Sequence, residues 1–355
     1  MSLLKFAICL PRVRHPVDAG GGFINMVRLA ELLAPHAEAH LVSYREREDD
    51  IWYLPDVEER LITEQYILVL TWGGDVIAQI TNYHGRLPIV YYHQGIDFGI
   101  QLPPDIPILC LSKWLLAHAQ EHWPANPEIY LPPVLTPDCR NLGLAREIDV
   151  LVVRRKLPAY IFEHLVPILE QHCQVSVITD FISRDELFQR FNRTKVYLYA
   201  YAPQRTDAAR TGWRLMEGFG MQPLEAMACG CTVFSNLRGG LADYIEPGVH
   251  GYRLECHSPA WDARQILQAL QRYPEAGQPE YEHYLRAHYS EAAFHQRAQA
   301  LVQFLSDYLP FARTTPPQLA AFGFPTPITL QQRTQEQIIG YLYRRKRQWL
   351  RKIAR

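Results

Sequence analysis

Short apolar runs alternate with amphipathic segments along most of this chain. In the first part, each apolar run is four to six residues long and is bounded by polar or turn-forming residues, which is typical of buried parallel strands. These runs cover residues 6–10, 39–44, 66–70, 88–92, 106–111 and 128–131. Segments with helical spacing lie between them, at residues 26–33, 75–83 and 113–122. The alternation predicts a doubly wound α/β domain.

A second alternation of the same kind begins near residue 149, after an irregular stretch that follows Pro132 and Pro133. Strands are predicted at residues 149–153, 174–179, 195–201 and 231–235, and helices at 159–171, 184–192, 260–272, 280–288 and 292–308. We therefore predict two Rossmann-like domains, residues 1–140 and 141–308, that face a cleft. Residues 309–355 are predicted to form a proline-rich connector and a basic amphipathic tail.

Residues 213–254 hold the densest pattern of candidate chemistry in the chain. Glu217 precedes the glycine turn Gly218-Phe219-Gly220, and Pro223 is well placed as the first residue of a helix that carries Glu225. A second glycine pair at residues 239–240 is predicted to open a further helix. Because helix N-termini expose N–H groups and carry positive dipole character, these two would suit an anionic ligand such as a diphosphate.

The block reads E-G-F-G-x-x-x-L-E-A-M-A-x-G and is followed by a strand, S-x-x-G-G and a G-x-x-G-x-L turn. In this form it resembles the retaining GT-B glycosyltransferases, particularly family 4. The positions that match are Glu217, Gly218, Phe219, Gly220, Leu224, Glu225, Ala226, Met227, Ala228, Gly230, Ser235, Gly239, Gly240, Gly248, Gly251 and Leu254. The resemblance implies a GT-B fold, with the last helix crossing back to the first domain.

For the donor, the resemblance implies distinct roles for the two glutamates. Glu225 would accept hydrogen bonds from both ribose hydroxyls, and Glu217 would contact hydroxyls of the donor sugar. Backbone N–H groups of the glycine turn would meet the sugar and phosphate. The expected donor-binding set in this block is Gly218, Phe219, Gly220, Met221, Leu224 and Glu225.

Cations are also expected near the diphosphate. Arg154, Arg155 and Lys156 directly follow the first predicted strand of the second domain, at the end where such sheets bind ligands. The family shows G-R here and K-G a few residues later. This chain lacks those glycines, so which of the three bases hold the diphosphate stays open. Gly21 and Gly22 lie at the matching turn of the first domain, where the family brings backbone close to the phosphates.

His93 is the second catalytic candidate beside Glu217, because it directly follows a predicted buried strand. The resembling enzymes often place a histidine there beside the donor sugar, where it could bond the sugar or a phosphate oxygen. The alternative is a structural histidine. The resemblance implies no enzymatic nucleophile, because the departing diphosphate takes the proton of the incoming hydroxyl.

The sequence lacks the motifs that are typical of several other kinds of site. No D-x-D pair occurs, and no His, Cys and carboxylate cluster has metal-ligand spacing, so no metal is expected. No G-x-S-x-G elbow and no P-loop occur either. We expect no cofactor beyond the nucleotide diphosphate sugar, which is the donor substrate.

Composition and charge refine the expected compartment and partners. The 355 residues hold 36 basic and 37 acidic side chains, which gives no case for nucleic acid as a partner. Seven cysteines without C-x-x-C spacing, and no apolar run of about 18 residues, favour a cytoplasmic protein. Residues 337–355, however, carry seven Lys or Arg and no acid on an amphipathic pattern. This tail is expected either to dock on an anionic membrane, at its inner face, or to pack on the acidic first domain.

The sequence thus predicts an enzyme that moves a hexosyl or deoxyhexosyl group from a nucleotide diphosphate sugar to an acceptor hydroxyl with retention. The acceptor would be a glycan, a lipid-linked molecule or a small molecule, in polysaccharide, glycolipid or other glycoconjugate synthesis. Two alternatives stay open. One is a catalytically silent GT-B subunit that binds a partner, and the other is an epimerase or phosphorylase of the same fold.

Overall fold

Two parallel β-sheets organise the part of the chain that this computed structural model describes. The described residues are 3–13, 20–71, 75–95, 100–154, 157–201, 217–274 and 278–314. Both sheets belong to one compact unit, Met1–Thr315. The predicted basic tail lies outside the described residues.

The first sheet has seven strands in the order β3-β2-β1-β4-β5-β6-β7. The strands are β1 Lys5–Leu10, β2 Glu38–Ser43, β3 Trp52–Tyr53, β4 Ile67–Leu70, β5 Ile89–His93, β6 Ile108–Cys110 and β7 Glu128–Tyr130. Strand β1 pairs with β2 on one side and with β4 on the other, so the strand order reverses between β1 and β4. A ligand of such a sheet binds beyond the carboxyl ends of the strands at this reversal.

The second sheet has five strands in the order β12-β11-β10-β8-β9. They are β8 Ile148–Val153, β9 Val175–Ile178, β10 Thr194–Tyr199, β11 Thr232–Ser235 and β12 Tyr252–Arg253. All pairs in both sheets are parallel, and the strands are apolar because helices cover both faces. The predicted fold class, two doubly wound parallel-sheet domains, is confirmed.

The helices alternate with these strands along the chain. They are α1 Gly21–Leu33, α2 Leu54–Thr63, α3 Asp75–Tyr83, α4 Lys113–His122, α6 Arg184–Asn192, α7 Met221–Ala228, α8 Pro259–Arg272, α9 Gln278–Tyr289 and α10 Glu291–Thr314. The fifth, α5, begins as a π-helical segment, Ile161–Leu165, and continues as the α-helix Val166–Leu169. The helices predicted at 75–83, 113–122 and 184–192 have the same bounds in the structure.

The structure departs from the predicted elements in two places. The helix predicted at 159–171 is shorter and partly π-helical, because Pro167 lacks an N–H group and its ring would clash with the carbonyl four residues earlier. Helix α2 was missed altogether. Its apolar residues Leu54, Val57, Leu61 and Ile62 recur at helical spacing, so the periodic signal was present and the prediction overlooked it.

The last helix, α10, packs against α1 of the first domain. An ion pair joins Arg28 to Glu291 with an Nη2–Oε1 distance of 2.6 Å. The ring nitrogens His36 Nε2 and His295 Nδ1 lie 3.0 Å apart. The helix continues through Pro310 to Thr314, beyond residue 309, where the connector was predicted to begin. Among the described residues, no helix is long and apolar enough to cross a membrane.

Candidate active site

The glycine turn after β1 faces the N-terminus of helix α7. Gly20 caps α1, and a Cβ atom added to Gly21 would lie 3.5 Å from Cγ of Met221, the first residue of α7. Gly22 lies one residue further into α1. The structure therefore brings together the turn and the helix N-terminus that the sequence assigned to the two sides of a cleft.

A second contact between the two domains is tighter. A Cβ atom on Gly218 would lie 2.0 Å from the backbone carbonyl oxygen of Gln94, so only glycine fits this approach. The Gln94 side chain donates from Nε2 to Thr71 Oγ1 at 2.9 Å. Asn25 Nδ2 lies 3.4 Å from Gln94 Oε1. These contacts fix the Gln94 side chain within the first domain, while the Gln94 backbone carbonyl meets Gly218 of the second.

The glycine pair at 239–240 supports Glu217 rather than opening a free helix end. Gly239 has φ +66°, and a Cβ atom there would lie 2.1 Å from the Glu217 carbonyl oxygen. The Gly240 N–H donates to that same oxygen at 3.0 Å. The segment that follows is a short 3₁₀ helix, Gly239–Asp243. The sequence predicted N–H groups open to an anion here, and for Gly240 this was wrong because the backbone of Glu217 already accepts the bond.

Glu217 itself is oriented by a tyrosine. Tyr199, the last residue of β10, donates its hydroxyl to Glu217 Oε2 at 2.6 Å. Burial, and next the charge of Glu217, raise the pKa of Tyr199 well above its usual value. The phenol therefore stays protonated and remains a donor. Glu217 as a whole residue is half-buried.

Glu225 lies one turn further along α7, where it is only 3% exposed. Its Oε1 atom lies 2.8 Å from Nη2 of Arg184, the first residue of α6. The distance is that of an ion pair, but Oε1 has no well-aligned hydrogen bond among the described residues. Burial raises the pKa of Glu225, and Arg184 opposes that shift.

The other residues predicted in this block divide into backbone and side-chain positions. Gly220 has φ +86° and caps α7, so the helix begins at Met221 rather than at Pro223. The side chains of Phe219 and Leu224 are 2% and 0% exposed and pack in the core. If these two residues contact a donor in this arrangement, they do so through their backbone.

His93 ends strand β5 with its imidazole buried at 1% exposure. Its Nε2 lies 3.0 Å from His118 Nδ1, and its ring meets Trp123 edge to face. Burial, and next His118 and His122, lower the pKa of His93 to about 3. The ring is therefore neutral near pH 7. Its Nδ1 has no hydrogen-bond partner in the described part of the chain, and it is the atom through which His93 could meet a hydroxyl.

The predicted cation cluster is only partly described. Arg154 follows β8, is exposed, and holds its guanidinium carbon 5.2 Å from the ring centre of Phe162. Arg155 and Lys156 lie outside the described residues, so the prediction that some of these three bases hold a diphosphate stays a prediction.

Four polar residues near these positions were not singled out from the sequence: Gln94, Arg184, Tyr199 and Asp243. Asp243 accepts a 2.6 Å hydrogen bond from the backbone N–H of Lys113 and so links the second domain to the start of α4. Each of the four makes its contact with a residue more than ten positions away in the sequence. Only Arg184 leaves a local signal, because a basic residue is out of place in the first turn of a helix.

No group of three His, Cys, Asp or Glu side chains within the described ranges is arranged to hold a metal ion.

Part of the second domain matches a known protein family. Residues 175–287 match the family of glycosyl transferases group 1, which is less than half of the chain. The matched region contains both candidate glutamates, helices α6 to α8, most of α9 and most of the second sheet. No curated protein matches the chain.

Solved structures resemble the chain over most of its length. A glycosyltransferase from Rickettsia africae has 11% identity and a TM-score of 0.60, covering 85% of this chain and 99% of its own. WaaG, a glycosyltransferase involved in lipopolysaccharide biosynthesis, has 15% identity and a TM-score of 0.59, covering 85% and 100%. Anabaena HepE, solved with UDP-glucose, has 12% identity and a TM-score of 0.58, covering 84% and 99%. At these identities the likeness shows the fold.

The fold and the family match define the class. The chain has the GT-B fold, and residues 175–287 carry the glycosyl transferases group 1 family match. The predicted resemblance to GT-B glycosyltransferases is thereby confirmed.

Proposed function

We propose that this protein transfers a sugar from a nucleotide diphosphate sugar to an acceptor hydroxyl, with retention of configuration, in the cleft between its two domains. The observation that carries the proposal is the meeting of the Gly21 turn with the N-terminus of α7, beside Glu217 and Glu225. Glycine backbone next to a helix N-terminus is suited to the phosphates, and the two carboxylates are suited to hydroxyl groups.

In this proposal the two glutamates contact different parts of the donor. Glu225, buried on α7, accepts hydrogen bonds from the ribose hydroxyls. Glu217, half-buried and oriented by Tyr199, accepts from hydroxyls of the transferred sugar. The neutral His93 acts as a hydrogen-bonding group and not as a cation for phosphate, because its pKa is lowered to about 3. Charge neutralisation of the diphosphate is left to Arg154, Arg155 and Lys156.

The structural relatives support a nucleotide sugar as the donor. Anabaena HepE was solved with UDP-glucose, and also with UDP and glucose. A pneumococcal O-GlcNAc transferase with a TM-score of 0.50 and 11% identity was solved with UDP and GlcNAc. We therefore propose UDP-sugars as the first donors to test, with GDP-, ADP- and dTDP-sugars beside them.

A thermal-shift panel of these nucleotide sugars tests the proposal. A donor that binds only the folded protein should raise the melting temperature, by an amount that grows with ligand concentration. Release of free sugar from the stabilising donor then separates an enzyme from a silent GT-B subunit, which would bind without turnover. An epimerase would instead convert the donor into the epimeric nucleotide sugar without needing an acceptor. Failure of every donor to shift the melting temperature would contradict the proposal.

Donor binding is expected to need no divalent cation, because the sequence has no D-x-D pair and the helix N-terminus and the basic residues can meet the diphosphate. Titrating the stabilising donor in excess EDTA, and again with Mg²⁺ or Mn²⁺, should give the same dissociation constant. Binding that disappears in EDTA and returns with metal would refute this expectation.

The basic tail is proposed to hold the enzyme at an anionic membrane surface. Residues 337–355 contribute seven positive charges, whereas the rest of the chain has 29 basic and 37 acidic residues. Each basic residue near an anionic leaflet contributes about 1 kcal/mol, which would outweigh repulsion of the acidic remainder. The full chain should therefore sediment with anionic vesicles, less so at high salt, and not with neutral ones.

A chain that ends at Thr329 is the matched control and should stay in solution. Equal sedimentation of both chains would move the membrane contact elsewhere. No sedimentation of either would favour a tail packed on the protein and a soluble acceptor.

A further inference from the structure

The pair of Arg184 and Glu225 is unusual in its local setting. Arg184 occupies the first turn of α6, where the helix dipole disfavours a cation and where Asp185 and Glu186 are the residues expected. Ser183 already caps the helix by accepting from the Glu186 N–H at 3.1 Å. The capping of α6 therefore does not call for an arginine. Its positive charge is instead paired with the carboxylate of Glu225 on α7, at an Nη2–Oε1 distance of 2.8 Å.

Glu225 needs a cation if it is to stay ionised. It is 3% exposed, and a carboxylate transferred from water to such a place is strongly disfavoured unless it is paired. Among the described residues, Arg184 is the only cation paired with it. Asp138, in the segment between the two sheets, acts in the opposite direction and raises the pKa of Glu225. Removing Arg184 would leave a buried carboxylate beside a like charge.

The other titratable groups that face Glu225 stay neutral. Burial raises the pKa of Tyr197, on β10, well above its usual value. The Cys139 thiol donates to the Glu225 backbone carbonyl at 3.4 Å, and its contact with Cys229 and its burial raise its pKa as well. Neither group loses a proton between pH 6.5 and 8.5, so Arg184 alone decides whether the Glu225 carboxylate is compensated.

The ion pair also leaves hydrogen-bonding capacity unused at Glu225. A carboxylate has two oxygens that together accept about four hydrogen bonds, and the 2.8 Å contact from Arg184 is made to Oε1 without good hydrogen-bond alignment. The guanidinium carbon of Arg184 also lies 5.1 Å from the Phe188 ring centre on its own helix, which is a cation–π contact. The arginine can thus hold the charge of Glu225 without saturating its oxygens.

We propose that Arg184 is a positioning residue for nucleotide binding: it keeps Glu225 ionised and oriented, so that Glu225 can accept hydrogen bonds from the ribose of the donor. The inference rests on the proposed function, which gives Glu225 its ribose contact. It adds a residue that acts through Glu225 and extends the site to the first turn of α6.

The test compares Arg184→Met with wild type, using UDP, GDP and ADP as probes. Methionine keeps the packing over Phe188 and removes the charge. Without the cation, Glu225 takes up a proton at higher pH, and the protonated carboxyl loses its charge-assisted bonds to ribose. The ratio of the Arg184→Met to the wild-type dissociation constant should therefore rise as pH falls from 8.5 to 6.5, by up to about tenfold per pH unit. Arg184→Lys should restore a flat profile.

Arg190→Met is the matched control. Arg190 lies on the same helix, is exposed and pairs with Glu186 at 2.9 Å, so its loss should leave nucleotide binding and its pH profile unchanged. A ratio for Arg184→Met that stays constant across this pH range would overturn the proposal, because a purely structural role would weaken binding equally at every pH.

A second arm needs no ligand and separates this inference from the proposed function. Burial raises the pKa of Glu225 in the folded protein, so its ionisation opposes folding as pH rises, and more so without Arg184. The melting temperature of Arg184→Met should therefore fall further below wild type as pH rises, and the difference should lose its pH dependence in the Glu225→Gln background. A pH dependence that survives in that background would overturn the role of Arg184 in holding the charge. If Glu225→Gln leaves nucleotide affinity unchanged, the ribose role under the proposed function fails, whatever this arm shows.

Discussion

Gly239→Ala should abolish most of the activity, lowering kcat/KM by about 100-fold or more. Gly239 has φ +66°, and a methyl group there would lie 2.1 Å from the carbonyl oxygen of Glu217. That oxygen belongs to the backbone, so the clash cannot be relieved by a side-chain rotation. Either Glu217 or the 3₁₀ helix must shift, and a displacement of about 1 Å at a reacting centre can cost 100-fold in rate.

Gly248→Ala provides the matched control for this effect. Gly248 also has a positive φ, +81°, but a methyl group there would meet nothing within 4 Å. Both variants should lose about 1 kcal/mol of stability from the left-handed backbone conformation, and Gly239→Ala should lose more because of the backbone clash. Only Gly239→Ala should also lose activity. Urea unfolding and steady-state kinetics on both proteins measure the two effects, and equal kinetics would show that the position of Glu217 does not depend on this contact.

The two glutamates should respond to substitution in different ways. Glu225→Ala should weaken binding of the donor and of the free nucleoside diphosphate alike, by roughly 1–3 kcal/mol, because a charge-assisted bond to ribose is lost from both complexes. Glu225→Gln, which keeps the shape of the buried side chain, should show the same direction with less disturbance of α7. Isothermal titration with UDP and with the donor measures both variants.

Glu217→Ala should spare nucleoside diphosphate affinity and lower kcat by about 10- to 100-fold, as expected for one lost bond to a charged group. Tyr199→Phe should move kcat in the same direction by less, because it removes the 2.6 Å hydrogen bond that orients Glu217 but leaves the carboxylate. Glu186→Ala, on the exposed surface of α6, is the control for general loss of a glutamate. Unchanged kcat and kcat/KM in Glu217→Ala would show that the family role does not apply at this position.

Much of the fold was open to prediction because its signals are local. A run such as Ile67–Leu70 is apolar at every position, which only a strand covered on both faces requires. Helix α6 begins at a serine cap, so its start could be located in the sequence. The motif around Glu217 and Glu225 identified the second domain for the same reason: its spacing follows from one turn and one helix that are continuous in sequence.

The sequence by itself determined the alternation of strands and helices, the two-domain organisation and the candidate glutamates, since each depends on residues close together in the chain. Only the tertiary structure decided the partners of those glutamates. Arg184 reaches Glu225 from 41 positions away, Tyr199 reaches Glu217 from another strand, and the Gly240 N–H that the sequence left free is bonded to the Glu217 backbone. Such pairings depend on how helices and strands pack against one another, and the spacing of residues within one element does not determine that packing.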